Sequence, residues 1–133
     1  MAIVDRRSLP VAVHVASASP AEVRLVRATL DERFLAAFPA RLIGDKAYDS
    51  DPLDEELLHE CAIDLIAPHK DNRVRPATQD GRPLRRYKRR WVVERFFAWL
   101  HNSRRLVTRW ERYVENFLAM IHLACIRILL RHF

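Results

Sequence analysis

The sequence has 133 residues, half of them hydrophobic, with 23 Lys and Arg against 17 Asp and Glu, two glycines and two cysteines. This composition fits one domain or a large part of one, and it excludes a wholly disordered chain. Gly44 and Gly81 alone cannot build a glycine-rich phosphate loop, and Cys61 and Cys125 form no CxxC pair, so we expect neither nucleotide fingerprints nor a cysteine zinc site.

The N-terminal part favours a hairpin followed by a helix. Residues 1–4 and Val11–Val15 are rich in β-branched residues and predict two paired strands. Ser19 and Pro20 form a typical helix start, and apolar residues three and four apart extend the predicted helix to about Phe38.

The next segment predicts a strand, a helix and another strand. Arg41–Gly44 reads as a short strand that ends at Asp45. Asp51 is the expected cap of a second helix, with Pro52 at its first position. The side chains expected to point inward are Leu53, Leu57, Leu58 and Cys61. The segment Leu65–Ala67 then predicts the last strand.

The C-terminal half predicts a loop and two helices. Residues 70–83 contain two prolines and almost no apolar residue, which is typical of a loop or a mobile insertion. A long helix is predicted from about Leu84 to Leu106, and a last helix over 114–131 is apolar nearly all round. Polar residues interrupt that helix, so we expect a buried core helix rather than a membrane span. The order of elements predicts an α/β fold with a mixed sheet covered by helices.

Positive charge is concentrated in one third of the chain. Residues 1–69 carry a net charge of −5, residues 70–112 a net charge of +10, and residues 113–133 a net charge of +1. Such a block indicates either a solvated basic face or a polyanion partner, most simply nucleic acid.

Two carboxylates are candidates for chemistry. Asp45 follows a predicted buried strand, where ligands and catalytic groups collect in α/β folds, but an Asp there can equally cap the loop or pair with Lys46. On an ideal helix, Tyr87, Arg90, Glu94 and His101 fall within about 60° of one another, opposite the apolar stripe. Glu94 is therefore either an ion-pair partner of Arg90 or a second metal ligand beside a DNA phosphate.

Three motifs resemble those of a known family. They are the segment 45–50 (DKAYDS), the Tyr87-x2-Arg90-x3-Glu94 spacing and the segment 104–106 (RRL). Together they resemble the DDE transposases of bacterial insertion sequences, in the group with a Tyr-Arg-Glu-Lys signature. The resemblance covers essentially the whole chain, and the stretch 82–105 is its most specific part.

The resemblance implies a fold and a chemistry. It implies a ribonuclease H-like mixed sheet flanked by helices, in which three carboxylates bind two Mg²⁺ (or Mn²⁺) ions for attack on a DNA phosphodiester. Asp45 becomes the second acid and Glu94 the third, and both would be metal ligands. DNA, as element ends and target, becomes the partner. The DNA-contacting residues would be Tyr87, Lys88, Arg89, Arg90, His101, Arg104 and Arg105.

The sequence departs from the family pattern in two ways. His101 stands where the signature has its lysine, which replaces a fixed cation by a weaker, pH-dependent one. The first catalytic Asp of the family precedes a β-hairpin, and residues 1–15 resemble that hairpin itself, so Asp5 is the only local substitute. We therefore expect 1–133 to be a partial catalytic domain, incomplete at the N-terminus, from a truncated gene or a split reading frame.

Several expectations about activity and partners follow from the resemblance. The chain alone should be nearly inactive, with a homo-oligomer or the missing N-terminal part in trans as partner, in the bacterial cytoplasm on nucleoid DNA and without a membrane partner. The alternatives are a catalytically dead DNA-binding remnant of a transposase and an unrelated nuclease of the same fold.

Overall fold

The computed structural model describes residues 1–79 and 81–132, so Asp80 of the predicted loop 70–83 and the terminal Phe133 lie outside the described residues. The chain divides into two compact units. We call the first the hairpin unit; it contains Met1–Pro20, Arg24–Phe34 and the chain from Trp91 onward. The second, the crossover unit, contains Ala21–Val23 and Leu35–Arg90.

The hairpin unit begins with the predicted pair of strands. Strand β1 (Ala2–Val4) runs antiparallel to β2 (Pro10–Val13), and Ala2 is opposite Val13. Asp5 closes the turn, because its Oδ1 accepts hydrogen bonds from the backbone N–H groups of Arg7 and Leu9, each at 2.8 Å. The hairpin predicted over residues 1–15 is therefore confirmed.

The first helix is shorter than its periodicity predicts. Helix α1 spans Glu22–Asp31, so it begins after Ser19 and Pro20 and does not reach Phe38. Arg33 instead forms an isolated antiparallel bridge with Ala12, and the backbone N–H of Phe34 donates to the Val11 carbonyl at 2.8 Å. The backbone after α1 thus forms hydrogen bonds with the backbone groups of the buried strand β2, and this tertiary hydrogen bonding outweighs the local helical pattern.

The crossover unit is a parallel strand–helix–strand motif. Strand β3 (Arg41–Ile43) is parallel to β4 (Asp64–Ile66), and helix α2 (Asp51–Cys61) connects them. A parallel pair requires such a crossover, since a tight turn cannot bring the chain back to the starting end. The bounds of the two predicted strands are confirmed to within one residue. The prediction that the strand before Asp45 is buried was wrong, because Arg41 and Ile43 are exposed and Leu42 is only half-buried.

Helix α2 differs from its prediction in its cap and in one inward residue. Ser50, not Asp51, is the N-cap residue, and Asp51 uses its carboxylate for ion pairs described below. Leu58 is 58% exposed, so the prediction that it points inward was wrong. The buried residues of the crossover unit are Leu53, Leu57, Cys61, Ile63, Leu65, Ile66 and Ala67.

The four strands form two separate two-stranded sheets within the described residues. One sheet is antiparallel and the other parallel, so both pairings of a mixed sheet are present. The predicted α/β character is confirmed, whereas the single mixed sheet of a ribonuclease H-like fold remains a prediction.

The long helix predicted over 84–106 is divided into four elements. These are α3 (Gly81–Leu84), a 3₁₀ helix (Arg85–Arg89), α4 (Trp91–His101) and α5 (Arg104–Val107). A 3₁₀ helix has about three residues per turn. The common face inferred from α-helical geometry therefore does not extend from Tyr87 to His101.

Helix α4 holds the hairpin turn and the core of its unit. Arg95 donates from Nε to the Ser8 hydroxyl and from Nη2 to the Arg7 carbonyl, both at 2.8 Å, and so fixes the turn where Ser8 adopts a positive φ of 69°. The opposite face of α4 enters the core. This core contains Val13, Phe96, Leu100, Ala124, Cys125 and Ile128.

The last helix, α6 (Val114–Leu130), is buried on one face only. Ala124, Cys125 and Ile128 are buried, while Leu123, Ile126 and Leu130 are exposed. The prediction of a helix buried all round was therefore wrong, because an apolar sequence does not by itself supply partners for every face. No helix in the described part of the chain is both long enough and apolar enough to cross a membrane.

Candidate catalytic and nucleic-acid-binding residues

Asp45 lies directly beyond the C-terminal end of β3. The backbone N–H of Gly44 donates to the Ile66 carbonyl at 3.0 Å, which extends the parallel pairing as far as the residue before Asp45. Asp45 is exposed, and its Oδ1 accepts the backbone N–H of Ala47 at 2.8 Å, which caps a short 3₁₀ helix, Lys46–Tyr48. The capping alternative is thus realised, while Lys46 pairs with Asp71 at 2.7 Å rather than with Asp45.

The backbone before Asp45 is held by close packing. A Cβ atom added at Gly44 would lie 2.8 Å from Cδ2 and 2.9 Å from Cγ of Tyr48, which is closer than real contacts allow. Burial, reinforced by the carboxylate and hydrogen bond of Glu22, raises the pKa of the Tyr48 hydroxyl well above its usual value. Gly44 is therefore required for the Tyr48 ring to pack beneath the turn that presents Asp45.

Glu94 lies in the first turn of α4 and is exposed, while Phe96 of the same helix is buried. His101, at the end of α4, is also exposed. The two-faced character predicted for this helix is confirmed within α4. Asp45 belongs to the crossover unit and Glu94 to the hairpin unit, and their joint role as catalytic acids stays a prediction.

The 3₁₀ helix Arg85–Arg89 carries Tyr87 of the signature and the predicted DNA-contacting cations Lys88 and Arg89. Arg90 follows it and donates from Nη1 to the Tyr87 hydroxyl at 3.1 Å, with its guanidinium 5.6 Å from the centre of the Tyr87 ring. Lys88 and Arg89 are exposed. Tyr87 therefore restricts the guanidinium of Arg90, and a restricted guanidinium binds phosphate at a smaller entropic cost.

Arg104 and Arg105 form the exposed face of α5. They line an open cleft of about 490 Å³ together with Trp110 and Glu111. Nη1 of Arg105 lies 4.0 Å from Oε1 of Glu111, at the edge of ion-pair distance.

Asp5, the substitute for the first acid, contributes its carboxylate to the hairpin turn described above.

An ion-pair network in the crossover unit was missed by sequence reasoning. Asp49 is 5% exposed at its side chain, and its Oδ1 contacts Nη1 of Arg73 at 2.8 Å and Nδ1 of His69 at 2.9 Å. Its Oδ2 accepts the backbone N–H of Lys70 at 2.8 Å. The neighbouring Asp51 pairs with Nη2 of Arg73 at 2.6 Å.

The same network extends to other parts of the loop. Asp51 also pairs with Arg75 at 2.9 Å. Nε2 of His69 accepts the backbone N–H of Thr78 at 3.2 Å, while Nδ1 of the same ring is hydrogen-bonded to Asp49. The segment is irregular, as predicted, but it is tied to α2 by polar contacts. A sequence signal for this network was available: two acids, at 49 and 51, and two arginines, at 73 and 75, have the same spacing.

The network shifts the titration of its carboxyl groups in opposite directions. Burial alone would raise the pKa of Asp49, but hydrogen bonds from Lys70 and His69 and the charge of Arg73 outweigh it and lower this pKa. Burial, with the nearby charges of Asp51 and Asp49, raises the pKa of Asp54 to about 6. The surroundings therefore stabilise the ionised form of Asp49 and destabilise the ionised form of Asp54.

The metal that the resemblance implies fits the chemistry of the candidate acids. Divalent cations such as Mg²⁺ prefer carboxylate oxygens, and Asp45 and Glu94 are exposed carboxylates. Among residues 1–79 and 81–132, no three His, Cys, Asp or Glu side chains form a group that could hold a metal ion. The two acids thus suit the metal in type, and their role as its ligands stays a prediction.

Comparison with known proteins gives one family and two relatives. The profile of the transposase DDE domain family matches residues 1–129. A Burkholderia cepacia protein assigned as a transposase for insertion sequence element IS402 is 36% identical over 87 residues, which are 65% of this chain and 37% of that protein. A Brucella ovis protein assigned likewise for element IS6501 is 33% identical over 90 residues, 68% of this chain and 67% of that protein.

The extent of these matches differs between the two relatives. The chain spans little more than a third of the first and about two thirds of the second. No solved structure matches the chain significantly.

Proposed function

Because the chain belongs to the transposase DDE domain family, we propose that it acts in DNA transposition through metal-dependent cleavage and transfer of DNA phosphodiesters. The observation that carries this proposal is the family match over nearly the whole chain, together with the exposed carboxylate of Asp45 just beyond the C-terminal end of a parallel strand. The ribonuclease H-like arrangement of the complete domain is part of the same proposal.

Asp45 and Glu94 are the proposed metal-binding acids. When bound, a pair of divalent ions would activate water or a 3′ hydroxyl for in-line attack on a phosphate. Asp45 is oriented by its bond to the Ala47 N–H and by the close packing of Gly44 on Tyr48. The resemblance assigns the first acid to a strand that precedes the hairpin. On this assignment the first acid would come from outside residues 1–133.

The proposed DNA contacts are made by the basic residues of two segments. Arg90, restricted by Tyr87, and the exposed Lys88 and Arg89 would bind phosphate oxygens from the 3₁₀ helix and its end. The second segment contributes His101, Arg104 and Arg105, all of which are exposed. Such contacts position DNA without reading its sequence.

A catalytically dead DNA-binding remnant is the second candidate function. The observation that favours it is the use of the Asp5 carboxylate in the hairpin turn, where it accepts two backbone N–H groups. A remnant of this kind would bind the element ends and would leave them uncut.

Nicking of DNA that carries the element ends tests the proposal. The assay compares this chain with a version extended upstream by an Asp-bearing strand, each with Mg²⁺ or Mn²⁺. Asp45→Asn preserves the oxygen that caps Ala47 and removes the charge, so a folded protein is expected. Loss of a charge-stabilising group should reduce nicking by at least about 100-fold, for Asp45→Asn and for Glu94→Gln alike.

Matched controls make the result specific. Glu55→Gln alters an exposed carboxylate of α2 outside the proposed site and should nick normally. Nicking that survives Glu94→Gln or Asp45→Asn would overturn the assignment of the acids. Specific binding without nicking by the extended chain would favour the remnant, and nicking by the short chain that Asp5→Asn abolishes would make Asp5 the first acid.

A further inference from the structure

The loop between α5 and α6 presents a tryptophan to solvent. Trp110 is 80% exposed, although tryptophan is among the most strongly apolar side chains by contact area. It lines the cleft of about 490 Å³ described above, together with Arg104, Arg105 and Glu111. An exposed indole beside two arginines forms a surface with both an apolar flat face and positive charge.

The loop's own polar groups hold this tryptophan outward. Glu111, whose side chain is 12% exposed, accepts the backbone N–H of Trp110 at 3.2 Å and faces Arg105. Arg109 donates from Nε to the Glu111 carbonyl at 3.1 Å, and its guanidinium lies 5.5 Å from the ring centre of Phe117. The acid and one arginine are thus used inside the loop, which leaves the indole, Arg104 and the outer side of Arg105 for a ligand.

We propose that this cleft binds an unpaired nucleotide of DNA, with the base stacked on the Trp110 indole and the flanking phosphates held by Arg104 and Arg105. Aromatic platforms with adjacent cations are the common way in which proteins bind single-stranded nucleic acid. Bases within a duplex are already stacked on their neighbours, so only an unpaired base exposes the face that the indole needs. The ligand therefore lies at an end, a gap or a melted step of the DNA.

The charges around the loop favour a nucleic acid over a protein partner. Four arginines fall between residues 104 and 112, and a second copy of this chain docking here by symmetry would bring like charges together. A polyanion meets no such repulsion. The proposed binding of a nucleotide in this cleft rests on the proposed function in one respect only, namely that the nucleic acid is DNA.

Three DNA ligands separate base stacking from phosphate binding. They are a blunt duplex, the same duplex with a short unpaired overhang, and that overhang built from abasic nucleotides. We expect the full chain to bind the natural overhang about tenfold more tightly than the abasic one, because a stacked base contributes roughly tenfold or more. This comparison uses the unaltered protein and does not depend on the folding of any variant.

Variants then locate the effect. Trp110→Ala should weaken binding of the natural overhang about tenfold and leave the blunt and abasic ligands unchanged, whereas Trp110→Phe should keep most of the affinity. Leu130→Ala, which truncates another exposed apolar side chain of the same unit outside the cleft, should change none of the three.

Other results would overturn the proposal in distinguishable ways. Equal binding of natural and abasic overhangs, or a Trp110→Ala effect equal on all three ligands, would exclude base stacking while leaving DNA binding intact. A change in sedimentation of the free protein with Trp110→Ala would identify a second copy as the occupant. Absence of binding to every ligand would refute the proposed function as well.

Discussion

Replacing Asp49 by asparagine tests whether the ion-pair network fixes the loop that follows β4. The carboxylate accepts three hydrogen bonds, from His69, Lys70 and Arg73, at 2.8–2.9 Å. An asparagine keeps one acceptor oxygen, and its NH₂ group would face donors. Because Asp49 is 5% exposed, water cannot replace the lost contacts without entering the network.

The expected cost follows from those contacts. A hydrogen bond that involves a charged group contributes about 1.5–3 kcal/mol. Asp51 still holds Arg73 at 2.6 Å in the variant, which limits the loss. We therefore expect Asp49→Asn to lower the free energy of unfolding by about 2–4 kcal/mol. At about 3 °C per kcal/mol for a chain of this size, the melting temperature should fall by roughly 6–12 °C.

Calorimetry and hydrogen exchange measure the two consequences. The matched control is Asp71→Asn, which removes an ion pair of similar length, Lys46–Asp71 at 2.7 Å, in the same loop. Asp71 is 89% exposed, and surface pairs contribute little. The variant at 49 should also speed amide exchange over residues 69–79. Equal melting of the two variants, or unchanged exchange in the loop, would show that the network does not fix it.

Two further predictions concern the titration and packing of the crossover unit. Asp54→Asn should raise the free energy of unfolding at pH 7.5 by about 1 kcal/mol, and the melting temperature with it. This gain should vanish as the pH falls towards 4. The pKa of Asp54 in the folded protein is about 6, above the usual 3.8. Ionisation of Asp54 above pH 6 therefore opposes folding, and protonation at lower pH removes this cost. A stability gain that grows at low pH would contradict this reasoning. Gly44→Ala should destabilise the unit by about 1–3 kcal/mol because its Cβ meets the Tyr48 ring. Thermal melts beside Gly81→Ala, whose Cβ meets nothing within 4 Å, provide the measurement, and equal melts would refute the clash.

The elements that sequence reasoning predicted correctly are those set by local signals. The hairpin of residues 1–15 has β-branched residues bounded by turn residues, and the strand before Asp45 is a short segment that ends at Gly44; both are present. The predicted end of α1 was wrong. Phe34 fits the helical period, but its backbone N–H donates a hydrogen bond to the Val11 carbonyl instead of continuing the helix. That bond joins residues far apart in sequence, and no local pattern contains it.

The candidate site was predictable in part for the same reason. Asp45 could be placed because a strand end is a local feature, and its capping bond to Ala47 is local as well. The loop after β4 was predicted as unanchored, since anchors were sought among apolar residues. Its anchors are Asp49 and Arg73, which are 24 residues apart and pair through charge. The matching spacing of the acids at 49 and 51 and of the arginines at 73 and 75 was visible in the sequence, but no local pattern says that these two segments meet.

The network also changes how the block of positive charge should act on DNA. Arg73 and Arg75 are paired with acids of the same unit, so they contribute little net charge to a DNA-binding surface. Lys88 is exposed, and it forms no ion pair with any residue of 1–79 or 81–132. If about five phosphates are contacted, the slope of log K against log salt should be roughly −4 to −5.

Single substitutions can then assign that slope to residues. Lys88→Ala should reduce its magnitude by about 0.9, because one fewer counterion is released on binding. Arg75→Ala should leave the slope unchanged, since the positive charge it removes is already balanced by Asp51 at 2.9 Å. Binding measured by fluorescence anisotropy over a series of salt concentrations provides both slopes. A larger change for Arg75→Ala than for Lys88→Ala would place the DNA on the loop after β4 and would refute the division between paired and available cations.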